Sequence, residues 1–225
     1  MPQTEFLNRL DADVRQRLID RMTEVVLDRD ELVISQNDKS LDVFFVLEGT
    51  ARAAGLSEEG KLVTYREIPE GAIFGELSAV DNRPRSANVV AVGKLKVGRM
   101  TQSDFRDIID TDDAFRWAFL AYLAGQARVM TGRIFEFSTM VVRDRLIGEL
   151  LRMAELQQSL NGRVEIPNAP THYELASRIS THREAVSREM SSLSKRGLVT
   201  KQLKTITIHD VDVLRRLRDE KPDDD

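Results

Sequence analysis

The strongest constraint is a change of texture at Asp112. From Asp112 to Met140 the chain contains no proline, and Leu120, Leu123, Ala127, Met130, Ile134, Phe137 and Val141 recur at alternating spacings of three and four. That pattern is an a/d seam held over three heptads, so a long helix is expected. The seam argues for parallel pairing with a second copy; the alternative is a single amphipathic helix lying on its own domain. Upstream, Val25 to Met100 breaks into short β-type runs (VVL, ELVIS, DVFFVL, ARAA, LVTYREI, AIF, SANVVAV, KLKVGRM), punctuated by Gly49, Gly55, Gly60, Gly71 and Gly93. Many short strands with turn signals predict a sandwich or barrel-like roll. Phe6, Leu7, Leu10, Val14, Leu18 and Met22 predict one helix over residues 5–24, and Thr101–Asp110 predicts a short one. Downstream, Val141–Ser159 reads as a helix with Leu146, Ile147, Leu150, Leu151 and Ala154 on one face, ended by Asn161-Gly162. The fold class is α+β. At 225 residues the chain can form two domains with separate cores.

Within the β-rich part, residues 71–91 read GAIFGELSAVDNRPRSANVVA. Gly75 stands in a turn between the strand-like Ala72–Phe74 and a short helical segment, Glu76–Val80. Free N–H groups at a helix start favour an anion, and a glycine there permits close approach. Arg85 follows with a planar fork suited to phosphate oxygens, Ser86 adds a hydroxyl, and Pro84 fixes the turn. Glu76 is odd for an anion site unless the ligand also carries a hydroxyl donor, such as a ribose 2′-OH. One phosphate, one free ribose hydroxyl and a purine describe a 3′,5′-cyclic nucleotide.

The net charge of −4 hides an uneven distribution. Thr171–Lys204 carries seven Lys or Arg against three Glu, a local +4, which leaves −8 for the remainder. A basic island in an acidic chain is the footprint of a DNA-contacting face, although a solvated basic surface would look the same by charge alone. In this island Thr171 and Glu174 fit a capping box opening THYELASRI. A second helix opens at Ser180–Glu184 and runs to Arg196, closed by Gly197. Two short helices and a brief turn fit a helix-turn-helix, and Leu198–Lys201 with Thr205–Ile208 adds a winged hairpin. Val186, Met190 and Leu193 fall on one side of the second helix. Arg183, Glu184, Ser187, Arg188 and Ser191 fall on the other, where Arg can read guanine and Glu can read cytosine. Glu184 could instead be the capping partner of Thr181. His182 is a candidate phosphate contact, and Thr171, Arg178, Lys201 and Lys204 read as contacts to the DNA backbone. Asp210–Arg218 reads as a last helix, and Lys221–Asp225 as a disordered acidic tail.

FGELSAV…RPRSANVVA resembles the phosphate-binding cassette of cyclic-nucleotide-binding domains, and Arg183-Glu184-Ala-Val-Ser187-Arg188 resembles the recognition helix of the bacterial catabolite-activator (Crp–Fnr) family. The similarity covers nearly the full length. It implies an eight-stranded, jelly-roll-like cyclic-nucleotide-binding domain over residues 1–111, a dimerisation helix over 112–140, and a winged helix-turn-helix domain over 141–225. Carried over residue by residue, nucleotide contacts fall on Phe74, Gly75, Glu76, Leu77, Ser78, Arg85 and Ser86. Counting back from Arg145, a hydroxyl pair that touches the purine in the family, one residue across the dimer, falls on Met130 and Thr131. Only Thr131 keeps a hydroxyl, so Met130 is either a purine neighbour or a heptad core residue. The ligand is cyclic AMP, cyclic GMP, or both. DNA contacts fall on Thr171, His182, Arg183, Glu184, Ser187, Arg188 and Lys201, with a palindromic TGTGA-like site implied. The expected partners are a second copy of the chain, double-stranded DNA and RNA polymerase. Two other readings stay open: a family member answering another ligand or none, and a nucleotide-binding protein whose helix-turn-helix meets protein.

Cysteine is absent, which removes disulfides, thiol sensing and a cysteine-held iron–sulfur cluster. His172, His182 and His209 show no i,i+4 pairing and no acidic cluster, so neither a metal site nor catalysis is expected. No apolar run approaches 18 residues and no signal-peptide pattern is visible, from which a cytoplasmic protein without membrane contact is expected.

Overall fold

The computed structural model describes residues 6–56 and 62–219. Gly60 and the acidic tail Lys221–Asp225 lie outside the described residues. The chain divides into two compact units, Met1–Thr131 and Gly132–Asp225.

A 3₁₀ turn, Leu7–Arg9, and α1 (Ala12–Ile19) open the first unit. One continuous helix over residues 5–24 is not formed. Asp11 takes an extended conformation, φ −57° and ψ 150°, that starts α1 afresh. Strand β1 (Thr23–Leu27) follows at once. The apolar spacing is nonetheless real, since Phe6, Leu7, Leu10, Val14 and Leu18 all enter one core.

Next come β2 (Leu32–Ile34), β3 (Val43–Glu48), β4 (Thr50–Leu56), β5 (Leu62–Pro69), β6 (Ile73–Phe74), α2 (Glu76–Asp81), β7 (Asn88–Ala91) and β8 (Leu95–Met100). They form two antiparallel sheets, β1-β8-β3-β6 and β2-β7-β4-β5. Each β-type run of the sequence contains one strand. Alternation along β3 explains the layering. Phe44 and Val46 enter a core shared with Ala51 and Ala53 of β4 and Val89 of β7, so it lies between the sheets. Val43 and Phe45 enter the other core, under helices. That second core is covered by α3 (Gln102–Thr111), capped by the Thr101 hydroxyl, and by the start of α4 (Asp113–Thr139). Phe6 meets Phe115 and Tyr122 edge-on at 5.5 Å each, a favoured ring geometry.

On α4 only Phe115, Phe119 and Tyr122 are buried. Trp117, Leu120, Val129, Ile134 and Phe135 remain exposed. A helix apolar on all sides is normally covered on all sides.

The second unit holds the end of α4, then α5 (Val142–Ala154), β9 (Val164–Ile166), α6 (His172–Arg178), α7 (Arg183–Lys195), β10 (Val199–Gln202), β11 (Thr205–Ile208) and α8 (Val211–Asp219). Helix α5 stops short of Ser159. The predicted face, Leu146, Ile147, Leu150, Leu151 and Ala154, is buried with Val186, Met190 and Leu193 of α7. The strands form a sheet in the order β10-β11-β9.

Candidate nucleotide pocket and nucleic-acid interface

In the first unit a cavity of about 640 Å³ lies between the sheet and α4. Phe74, Gly75, Glu76, Leu77, Ser78, Arg85, Ser86 and Met130 all line it. Gly75 precedes α2 with φ 80°, and a Cβ there would stand 2.8 Å from Arg85 Nη1 and 3.0 Å from the Asp42 carbonyl. Only glycine fits that turn. The Arg85 guanidinium is held beneath it. Nε donates to Ser40 Oγ at 3.1 Å, Nη1 to the Gly75 carbonyl at 2.7 Å, and Nη2 to the Asp42 carbonyl at 2.7 Å. Its orientation is therefore set before any ligand arrives, and the rest of its donor set stays available to an anion.

Glu76 opens α2 and is 6% exposed. Burial pushes its carboxyl above the ordinary glutamate value, against the pull of Arg66 and Arg85. The nearest cation, Arg66 Nη2, is 4.0 Å away. The carboxylate is thus buried without a close ion-pair partner, and a hydroxyl donor would complete its environment.

Thr131 does not line the cavity; its hydroxyl donates to the Ala127 carbonyl one turn back on the same helix. The α4 wall consists of Leu123, Gln126, Ala127 and Met130, of which Gln126 alone has a hydrogen-bonding side chain. Met130 thus lines the cavity although it is 38% exposed, while Leu120 and Ile134 of the same heptad seam are more exposed and do not line it.

Sequence reasoning missed Arg66 and Tyr122. Arg66 donates to Tyr122 Oη at 2.7 Å and to the Ile73 carbonyl at 2.9 Å, and Tyr122 donates to that carbonyl at 3.1 Å. Burial works against the Arg66 charge, but Tyr122 and Glu76 more than offset it, and its pKa rises. Burial pushes the Tyr122 phenol up to about 12, so it stays protonated. The signal was present in β5: Arg66 shares a strand face with the buried Ile68, and a charge at an inward position needs a reason.

In the second unit the capping box is formed, with the Thr171 hydroxyl accepting from Glu174 N–H and the Glu174 carboxylate accepting from Thr171 N–H. The turn to α7 passes through Ser180 at φ 53°, and Arg145 of α5 braces it by donating to the Ile179 carbonyl at 2.8 Å. The N-cap of α7 is His182, with no side-chain cap bond. Glu184 is therefore not a capping partner of Thr181. Arg183, Glu184, Arg188 and Ser191 are exposed on the face opposite Val186, Met190 and Leu193. Ser187 is half-buried and shares a 2.8 Å hydrogen bond with His172 Nδ1. Burial, Lys201 and Arg183 lower the His172 pKa, which keeps the ring neutral near pH 7. Thr171 and His182 are exposed, and Lys201 donates to the Pro170 carbonyl at 2.9 Å.

Arg178 is not a DNA-backbone contact. It is buried and donates to Glu149 Oε1 at 3.3 Å. Glu149 also pairs with Arg133 of α4 at 3.4 Å and with Arg152 at 3.1 Å, while Arg152 reaches Glu136 at 2.7 Å. Three helices of this unit meet at one carboxylate. Periodicity could not reveal it, because it depends on which helices become neighbours.

Among the described residues no group of His, Cys, Asp and Glu could hold a metal ion, and no helix is long and apolar enough to cross a membrane.

Comparison with known proteins agrees with this geometry. Residues 24–112 match the family described as cyclic nucleotide-binding domain, and residues 144–217 match the Crp-like helix-turn-helix domain. The chain is 26% identical over 185 residues to the cyclic AMP receptor protein of Thermus thermophilus, covering 82% of this chain and 83% of that protein. It is 22% identical over 178 residues to the cAMP-activated global transcriptional regulator CRP of Escherichia coli, covering 79% and 85%. Among solved structures, the c-di-GMP responsive global regulator CLP of Xanthomonas campestris has the same fold. The TM-score is 0.78 at 16% identity, covering 88% of this chain and 99% of that one.

Proposed function

The chain belongs to the Crp–Fnr family of transcription regulators, and we propose that it is a homodimer whose DNA binding is switched by a 3′,5′-cyclic nucleotide. The observation that carries this reading is the cavity in which Arg85 and Glu76 stand on either side of Gly75. Arg85 and neighbouring N–H groups would take the cyclic phosphate, and Glu76 would accept from the ribose 2′-OH. The purine would extend along Gln126 and Met130. Cyclic AMP and cyclic GMP are both candidates, with Ser86 available to a guanine and Thr131 reaching the purine in the partner's cavity.

The exposed apolar residues of α4 supply the dimer surface, with Leu120 and Ile134 on the heptad seam. Two copies of α7 would then read a palindromic TGTGA-like site, with Arg183 and Arg188 on guanines and Glu184 on a cytosine. Thr171, His182 and Lys201 would contact phosphates and Ser187 would support the reading face. Residues 1–111, 112–140 and 141–225 serve as sensor, dimerisation helix and reader in a cytoplasmic protein that acts with RNA polymerase.

A gel-shift assay with a TGTGA palindrome tests the reading. Cyclic nucleotide should strengthen retardation by the wild type, and Arg85→Ala should abolish that stimulation. Equal stimulation of the variant contradicts the proposal.

A further inference from the structure

Seven described residues other than glycine have a positive φ. Six are Asp30, Asn37, Asn82, Asn161, Asn168 and Ser180, whose short polar side chains can bond the local backbone and ease this conformation. The seventh is Leu203, at φ 50°, which has no such bond to make. Leu203 is also 98% exposed. Backbone strain and an apolar side chain wholly in water therefore coincide on one residue.

Leu203 and Lys204 form the two-residue turn of the β10–β11 hairpin, between the paired Gln202 and Thr205. A tight hairpin usually places glycine at a first turn position of positive φ. The tip is nevertheless fixed. Ala169 N–H donates to the Lys204 carbonyl at 2.7 Å, and Lys201 Nζ donates to the Pro170 carbonyl at 2.9 Å. Two residues beyond Pro170, His172 shares its hydrogen bond with Ser187 of α7. The hairpin and α7 thus flank the same short stretch at the start of α6.

We propose that Leu203 is an apolar contact to DNA, seated in the minor groove beside the half-site read by α7. The inference rests on the DNA-binding reading above. Lys201 and Lys204 bring the hairpin to the phosphate rails that border a groove. An apolar tip then meets sugar and base edges, where leucine is among the side chains that wedge into minor grooves. The strain is retained because glycine or asparagine would relieve it but present no such surface.

The test uses the full chain and its Leu203→Gly and Leu203→Asn variants, with cyclic AMP present and absent. The probes are a labelled duplex with two TGTGA half-sites and G·C flanks, and the same duplex with inosine for guanine in the flanks. Inosine removes the minor-groove amino group and leaves the major-groove acceptors in place. Both variants should melt no lower than the wild type, yet bind the duplex about tenfold more weakly. Their salt dependence should match the wild type, since no phosphate contact is lost. The wild type should prefer the inosine flanks, and the variants should not. Variant affinity within twofold of the wild type, with flank preference intact, overturns the inference. So does unchanged DNA affinity with reduced transcription by RNA polymerase, which would assign the tip to a protein partner. A wild type that binds neither duplex at any salt concentration contradicts the DNA-binding reading itself.

Discussion

Glu76 and Glu149 are both helical and both buried, and each feels more than one arginine, yet their environments push them in opposite directions. Glu76 has Arg66 at 4.0 Å, and burial raises its pKa. Glu149 has Arg133, Arg152 and Arg178 within 3.4 Å, and together they overcome burial and lower its pKa. The first carboxylate borders a cavity and lacks a close partner; the second is enclosed by partners. Burial alone therefore does not separate a ligand site from a structural lock. What separates them is whether the charge is compensated within the chain.

The largest expected effect is on the lock. Glu149→Ala leaves three guanidiniums without their carboxylate and should cost about 3–5 kcal/mol in denaturant unfolding. Because the folded pKa is depressed, this stabilisation is present above the ordinary glutamate range and is lost as the pH falls through the folded value. A loss under about 1 kcal/mol would reduce the cluster to a surface-like network.

Glu76→Gln should do the reverse. A raised folded pKa means that ionised Glu76 opposes folding at neutral pH, so the free variant should melt at or above the wild type. Its cyclic nucleotide affinity should fall roughly tenfold to a hundredfold, the worth of a hydrogen bond to a charged acceptor. Wild-type affinity should also decline as the pH drops through the raised pKa of Glu76, above the usual carboxylate range, while the variant's profile stays flat. Calorimetric titration across pH reads both. A variant less stable than the wild type would place Glu76 with Glu149, among structural groups.

The smallest effect is expected at Tyr122→Phe. It removes the phenol that joins α4 to Arg66 and the Ile73 carbonyl, at a cost of about 1 kcal/mol. If Arg66 transmits the state of Glu76 to α4, nucleotide affinity should change little while nucleotide enhancement of DNA binding weakens. Equal loss in both would make Tyr122 only a packing residue.

The sequence showed what is local. The short β-type runs, the Thr171–Glu174 capping box and the glycine turn at Gly75 depend on neighbours within a few residues, and each stands where it was expected. Gly75, Glu76, Arg85 and Ser86 were legible for the same reason, and Phe74, Leu77 and Ser78 through the resemblance of the cassette. Arg66, Tyr122 and Gln126 were not, because they come from β5 and α4, and only folding brings them to Glu76. Arg178 misled for a related reason. In a basic island it reads as a phosphate contact, but the buried face of α6 turns it onto Glu149. The seam of α4 was legible in spacing but not in use, since Met130 and Leu123 line the cavity while Leu120 and Ile134 do not.

The most direct measurement is isothermal titration of the purified protein with cyclic AMP and, separately, cyclic GMP, each with and without a TGTGA-type palindromic duplex. If nucleotide and DNA act on one switch, DNA must raise nucleotide affinity by the factor by which nucleotide raises DNA affinity. Nucleotide binding should tighten in the presence of the duplex, with the effector showing the larger coupling. Folded protein that gives no heat with either nucleotide, or whose nucleotide affinity is indifferent to the duplex, would contradict it.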